Sequence, residues 1–168
     1  MRKSTRYLVH CAMIAALYVV LTHLQNLIFP DSASMAIQFR ASEALCVLAL
    51  FTPAAIPGLT LGTLLFNITF AQALPLDFLL GSLATLLATA LIRQSRNLTI
   101  KGYPLFALLM PALWNGLIVG WELSVYIGGG FLLNAVLVAI GELTVLLSLG
   151  SALYYALRIR GLDKKLFA

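Results

Sequence analysis

Long apolar runs make up most of this chain, and polar or turn-forming residues interrupt them at intervals that suit a helical bundle. A helix that crosses a bilayer needs about 20 predominantly apolar residues, within a range of roughly 17–25. On this measure the pattern predicts helices over residues 7–29, 42–52, 56–73, 76–92, 104–122 and 130–157. That is an all-α, polytopic membrane protein, a six-helix bundle forming a single domain over 1–168. The second helix is short. Residues 42–73 still exceed one crossing, and "TPAAIPG" at 52–58 divides them with two prolines, which interrupt a helical ladder.

Polar residues inside the apolar runs carry the next signal. A mid-span acid costs on the order of 2.5–3.5 kcal/mol, so such a group normally faces an interior or a cavity. Glu43, Asn67, Asp77, Asn115, Glu122, Asn134 and Glu142 stand in or at the ends of predicted spans. "NGLIVGWEL" (115–123) and "NAVLVAIGEL" (134–143) repeat one arrangement, an asparagine followed by a glutamate about two turns later. Residues seven or eight apart return to one helix face. The fifth and sixth helices therefore each carry a polar stripe. Run antiparallel, they should bring Asn115 near Glu142 and Asn134 near Glu122. Interhelical packing by amides is the alternative reading of these asparagines.

In "QFRASEAL" (38–45), Arg40 and Glu43 fall at helical spacing. Ser42 can serve there as the helix N-cap, or Arg40 can orient a cavity-facing Glu43. Trp114, Trp121 and Tyr126 suit either an interfacial belt or stacking on a flat ligand. "YIGGGF" (126–131) reads as a movable lid or as a tight turn. Small residues form A-x-x-x-A at Ala12/Ala16 and G-x-x-x-G at Gly58/Gly62 and Gly116/Gly120, all of which permit close helix approach.

Composition supports the membrane reading: 61% of the 168 residues are hydrophobic and 10% charged, too few charges to cover a soluble surface. The net charge of +5 is concentrated in three basic clusters. These are Arg2, Lys3 and Arg6; Arg93, Arg96 and Lys101; and Arg158, Arg160, Lys164 and Lys165. Beside apolar spans they mark the cytoplasmic side, which places both termini inside and an even number of crossings before the 93–101 loop. Asp31, Asp77, Glu43 and Glu122 then fall toward the outside, with Glu142 deeper. No basic and aromatic stripe of the nucleic-acid-binding kind is present. Cys11 and Cys46 give no disulfide framework, and "NLT" at 97–99 falls in a predicted inner loop. The first apolar run is longer than a signal-peptide core. No phosphate-binding loop, zinc-protease motif or nucleophile elbow occurs, so neither an enzyme nor a bound cofactor or metal is expected.

Taken together, "QFRASEAL", "LFTPAAIPGLTLGTLLFN", "GSLATLLATAL" and "PALWNGLIVGWEL" resemble the QueT family over roughly residues 7–157. That resemblance implies a substrate-binding S component of an energy-coupling factor transporter, assigned to queuosine precursors. Such a subunit captures its solute outside. It then docks on a membrane coupling subunit (T component), driven by two separate ATPase subunits, through an alanine-rich face of its first helix. Ala12, Ala15 and Ala16 match that face. The implied ligand is a 7-deazaguanine such as preQ1, preQ0 or queuine. Its N1–H and 2-amino donors suit a carboxylate, and its acceptors suit amides. Glu43, Asn67, Asn115, Glu122, Asn134, Glu142, Arg40, Trp114 and Asp77 are the expected binding residues. Alternatives are an S component for another vitamin-like or nucleobase-like solute, a proton-coupled permease using Glu142, and a structural subunit.

Overall fold

The structure, a computed structural model, describes residues 3–30, 37–70, 73–159 and 161–167. Arg2, Asp31 and Arg160 lie outside the described residues. The elements are α1 (Lys3–Ile28), a 3-10 helix (Ala41–Leu50), α2 (Ala55–Thr69), α3 (Asp77–Gln94), α4 (Leu105–Tyr126), α5 (Phe131–Val145), α6 (Ser151–Ile159) and α7 (Leu162–Phe167). No β-strand occurs among the described residues. Four stretches are long and apolar enough to cross a membrane: Lys3–Ile28, Asp77–Asn97, Leu105–Tyr126 and Phe131–Ile159. The apolar helices Ala41–Leu50 and Ala55–Thr69 are shorter.

Several boundaries differ from those expected. α1 starts at Lys3, not 7, and α4 continues to Tyr126, past 122. The polar residues 3–6 add no apolar signal but continue the ladder of α1, and α4 runs one turn past Glu122 through Leu123, Ser124, Val125 and Tyr126. α2 ends at Thr69, short of 73, because Phe70 is already extended (φ −88°, ψ 112°). The predicted sixth helix is not uniform: a π turn, Leu146–Gly150, joins α5 to α6. Ser148 Oγ donates to Val145 O at 3.4 Å and also bonds Thr144 O, while Ser151 Oγ donates to Leu146 O. Such side-chain bonds to carbonyls offer the ladder alternative partners.

The second segment is 3-10 rather than α. Its ten residues rise about 2.0 Å each, so it reaches roughly 20 Å where an α-helix would reach about 15 Å. Tighter winding thus stretches a short segment. Ser42 through Ala49 are all buried, and the helix touches α1, α2, α3, α4, α5 and α6. It is the central rod of the bundle. Thr52 Oγ1 accepts from Ala54 N in the turn that follows, and Pro57 falls in the first turn of α2, where its missing N–H costs nothing.

Pairwise contacts fix the directions of the segments. Ser42 meets Thr22, and Glu43 meets Tyr18, so the 3-10 helix runs against α1. Gly58 lies on Cys11 and Ile14, Gly62 on Tyr18, and Thr69 bonds His23, so α2 runs with α1. Asn67 meets Asp77 and Thr63 meets Thr85, reversing α3; Gly120 against Ala135 reverses α5 relative to α4. The chain therefore does turn back at "TPAAIPG". Arg6 donates to Leu166 O and Arg93 to Leu50 O, so both described ends of the chain and the 93–101 loop share one basic end.

Both G-x-x-x-G faces are close-approach sites. A Cβ at Gly62 would stand 2.8 Å from Tyr18 Cβ, and one at Gly120 2.6 Å from Ala135 Cα. Ala12 and Ala16 are exposed, but Ala15 is buried on the α2 side of α1. Ala15 thus belongs to the internal packing and not to an outward face, because its Cβ points about 100° away from its neighbour at 16. Large apolar side chains such as Leu27, Leu132 and Ile159 point outward, as a lipid-facing surface requires.

Candidate functional site

At the end of the bundle opposite the basic clusters, the extended segment Gln38–Arg40 runs into the interior and ends at the 3-10 helix. It lies against α5 at Gly141, where the backbones touch. Arg40 is buried there, its guanidinium 3.8 Å from Asp77 Oδ2 and 5.7 Å from the Phe66 ring centre. Burial opposes the charge of Arg40, but Asp77, with smaller help from Tyr18, Glu43 and Glu142, holds its pKa above the ordinary value. Gln38, Arg40, Asp77 and Glu122 line a cavity of about 110 Å³, rimmed by Leu74, Leu123 and Ile127.

Deeper in, Glu43 is held on both sides: Tyr18 Oη donates to Oε1 at 2.5 Å and Cys46 Sγ to Oε2 at 3.2 Å. Asn115 Nδ2 donates to Glu142 Oε1 at 2.9 Å, across the α4–α5 interface. Asn67 Nδ2 donates to the Asp77 carbonyl at 2.8 Å. One buried cation thus stands among four buried acids. Several buried polar atoms have no partner: Asn67 Oδ1, Asp77 Oδ1, Glu142 Oε2, both Glu122 oxygens and Trp114 Nε1. A buried donor or acceptor without a partner costs about 1–3 kcal/mol, and more for a charged group. In native proteins such atoms are few and require an explanation, of which a ligand is one.

The chain matches the QueT transporter family over residues 8–159. It belongs to that family. As a QueT transporter family member with several long apolar helices, it is a membrane transporter, and a small-molecule substrate follows. No curated protein and no solved structure is matched by the chain.

Within this family member, the expected residues divide into three groups. Arg40, Asp77 and Glu122 share the cavity, with Asn67 behind Asp77. Glu43 and the Asn115–Glu142 pair lie next to it, within electrostatic reach of Arg40. Asn134 and Trp114 stand apart. Asn134 Nδ2 donates to Gly128 O at 2.7 Å, so the expected pairing with Glu122 does not form. The cause is the Gly128–Gly130 turn, whose positive φ values (93°, 84° and 81°) turn a carbonyl back onto the first turn of α5. Trp114 is half-buried and lines no part of the cavity. Trp121 and Tyr126 are exposed, as belt residues are. Ser42 is not the N-cap: the 3-10 helix starts at Ala41 after Arg40, and Ser42 Oγ accepts from Thr22 Oγ1 at 2.7 Å.

Sequence reasoning missed Tyr18, Cys46 and Gln38. A tyrosine in mid-span, far from either interface, was a usable signal for Tyr18. Replacing Tyr18 with Phe removes the donor to Glu43 Oε1 and is expected to lower stability by about 1–3 kcal/mol. Chemical unfolding in detergent checks this; an unchanged midpoint would show that Cys46 alone suffices for Glu43.

Proposed function

We propose that the chain is the substrate-binding S component of an energy-coupling factor transporter and that it captures a 7-deazaguanine queuosine precursor from outside the cell. Family membership supports the transport role. The observation that carries the substrate class is the acceptor-rich interior: at the cavity and beside it, five buried oxygens on Asn67, Asp77, Glu122 and Glu142 lack a hydrogen-bond partner. A guanine-like base supplies the donors those oxygens lack, and the aminomethyl arm of preQ1 adds a cation that four acids around one arginine favour.

In this reading all six helical segments cross the bilayer of a bacterial cell. The basic end, carrying both termini, faces the cytoplasm by the positive-inside rule. A coupling subunit docks along α1, where Ala12 is exposed and Ala16 lines an apolar groove of about 590 Å³ together with Met13, Leu17, Leu45, Leu48 and Leu157. ATP hydrolysis belongs to two partner ATPases. The cavity is smaller than the roughly 300–1,000 Å³ of usual ligand pockets, so binding includes outward movement of the Leu74–Leu123–Ile127 rim.

The test is calorimetry on the purified protein in detergent with preQ1, preQ0 and queuine. Saturable one-to-one binding of at least one is expected. A folded preparation that binds none of them rejects the reading.

A further inference from the structure

The four buried acids differ in what their oxygens already hold. Both oxygens of Glu43 are occupied, by Tyr18 and Cys46. One oxygen of Glu142 is taken by Asn115, and one of Asp77 faces Arg40. Glu122 differs: the residue has no solvent exposure, and both carboxylate oxygens lack a hydrogen-bond partner. It also lines the cavity. Helix packing does not explain such a group, since a carboxylate kept only for packing would be bonded across the interface, as Glu142 is.

A carboxylate presents two parallel acceptors that match two N–H donors side by side, the geometry by which it receives a guanidinium fork. We propose that Glu122 is the specificity-determining residue of the site, accepting two parallel N–H···O bonds from one edge of the substrate. The ligand it selects carries adjacent ring N–H and amino groups, an amidine-type edge. This inference rests on the deazaguanine reading, in which N1–H and the 2-amino group form that edge. Glu43 and Glu142 cannot take the part without breaking bonds they already make. Asp77 offers one free oxygen. A ligand lacking the amino group leaves one Glu122 oxygen bare in a low-dielectric site, and sites built to bond a donor reject analogues that lack it.

The experiment compares wild-type binding of 7-deazaguanine and 7-deazahypoxanthine, which differ only in the 2-amino group, and repeats the pair on Glu122→Gln. Glutamine keeps the shape but replaces one acceptor by a donor. Wild-type protein is expected to prefer deazaguanine by on the order of 100-fold or more. Glu122→Gln should reduce that preference severalfold or more, by weakening deazaguanine binding. Wild-type affinities within about threefold of each other would overturn the proposal, being too close for a lost bond to a charged group. So would a Glu122→Gln variant that keeps the full preference. So would a loss that follows the aminomethyl arm (preQ1 against 7-deazaguanine) instead of the 2-amino group. If preQ1 binds while these ratios fail, the transport reading stands and only the role of Glu122 falls; if no deazaguanine binds, both fall. Should Glu122→Gln not fold, Glu122→Asp, which keeps both acceptors but withdraws them by one methylene, takes its place: a reduced preference for deazaguanine is expected, and an unchanged one overturns the proposal.

Discussion

Replacing Arg40 with alanine is expected to destabilise the folded protein by about 3–5 kcal/mol, the cost of removing one partner from a buried ion pair. The magnitude follows from where Arg40 stands. It is buried beside Asp77 at 3.8 Å, over the Phe66 ring, and within electrostatic reach of Glu43 and Glu142. Alanine leaves those acids without their cation and leaves a void above Phe66. Lysine keeps the charge but loses the planar fork that lies over the ring, so Arg40→Lys should fall between alanine and the wild type. A double-mutant cycle with Asp77→Asn separates the pair from its surroundings. Urea or thermal unfolding of all four proteins in one detergent supplies the numbers. If Arg40→Ala loses less than about 1 kcal/mol, the buried acids are not held by this arginine.

How far the sequence foretold this arrangement depends on which physical signal each part left. Apolar run length located helical structure in each of the six predicted stretches but missed α7, and two prolines in "TPAAIPG" marked the reversal at 52–58 that the contacts of Gly58 and Gly62 establish. The seven- and eight-residue Asn–Glu spacings were enough to bring Asn115 onto Glu142. The same spacings failed for Asn134, because helical periodicity carries no information about a three-glycine turn that offers its own carbonyl. The 3-10 winding of Ala41–Leu50 was not legible either. A segment buried on every side has no amphipathic phase to show whether it repeats every 3.0 or 3.6 residues. A mid-span tyrosine marks Tyr18 as unusual, but nothing in its spacing shows that Glu43 stands opposite it. Gln38 lies in backbone that is neither helix nor strand, where neither period applies.

Gly141 joins these two themes, since it decides where the extended segment lies. A Cβ built on Gly141 would stand 2.3 Å from Gln38 O, 3.0 Å from its C and 3.1 Å from its N. All three atoms are backbone, so no side chain can swing aside. Gly141→Ala is therefore expected to push Gln38–Arg40 off α5, at an overpacking cost of about 1–3 kcal/mol or more. Arg40 would move with the segment, away from Asp77 and from Glu142 next in the chain to the substituted residue. Loss of substrate binding should then exceed what instability alone produces. Gly102→Ala is the control. Its Cβ would meet nothing within 4 Å, and the substitution strains only a φ of +81° at the basic end, worth about 1–2 kcal/mol. Gly141→Ala is expected to lose more stability than Gly102→Ala, so affinity is compared on the folded fraction of each: Gly102→Ala should keep its affinity for whichever deazaguanine the wild type binds, and Gly141→Ala should lose it. Equal affinities in the two would mean that Arg40 is positioned independently of the α5 contact, which then only seals the bundle.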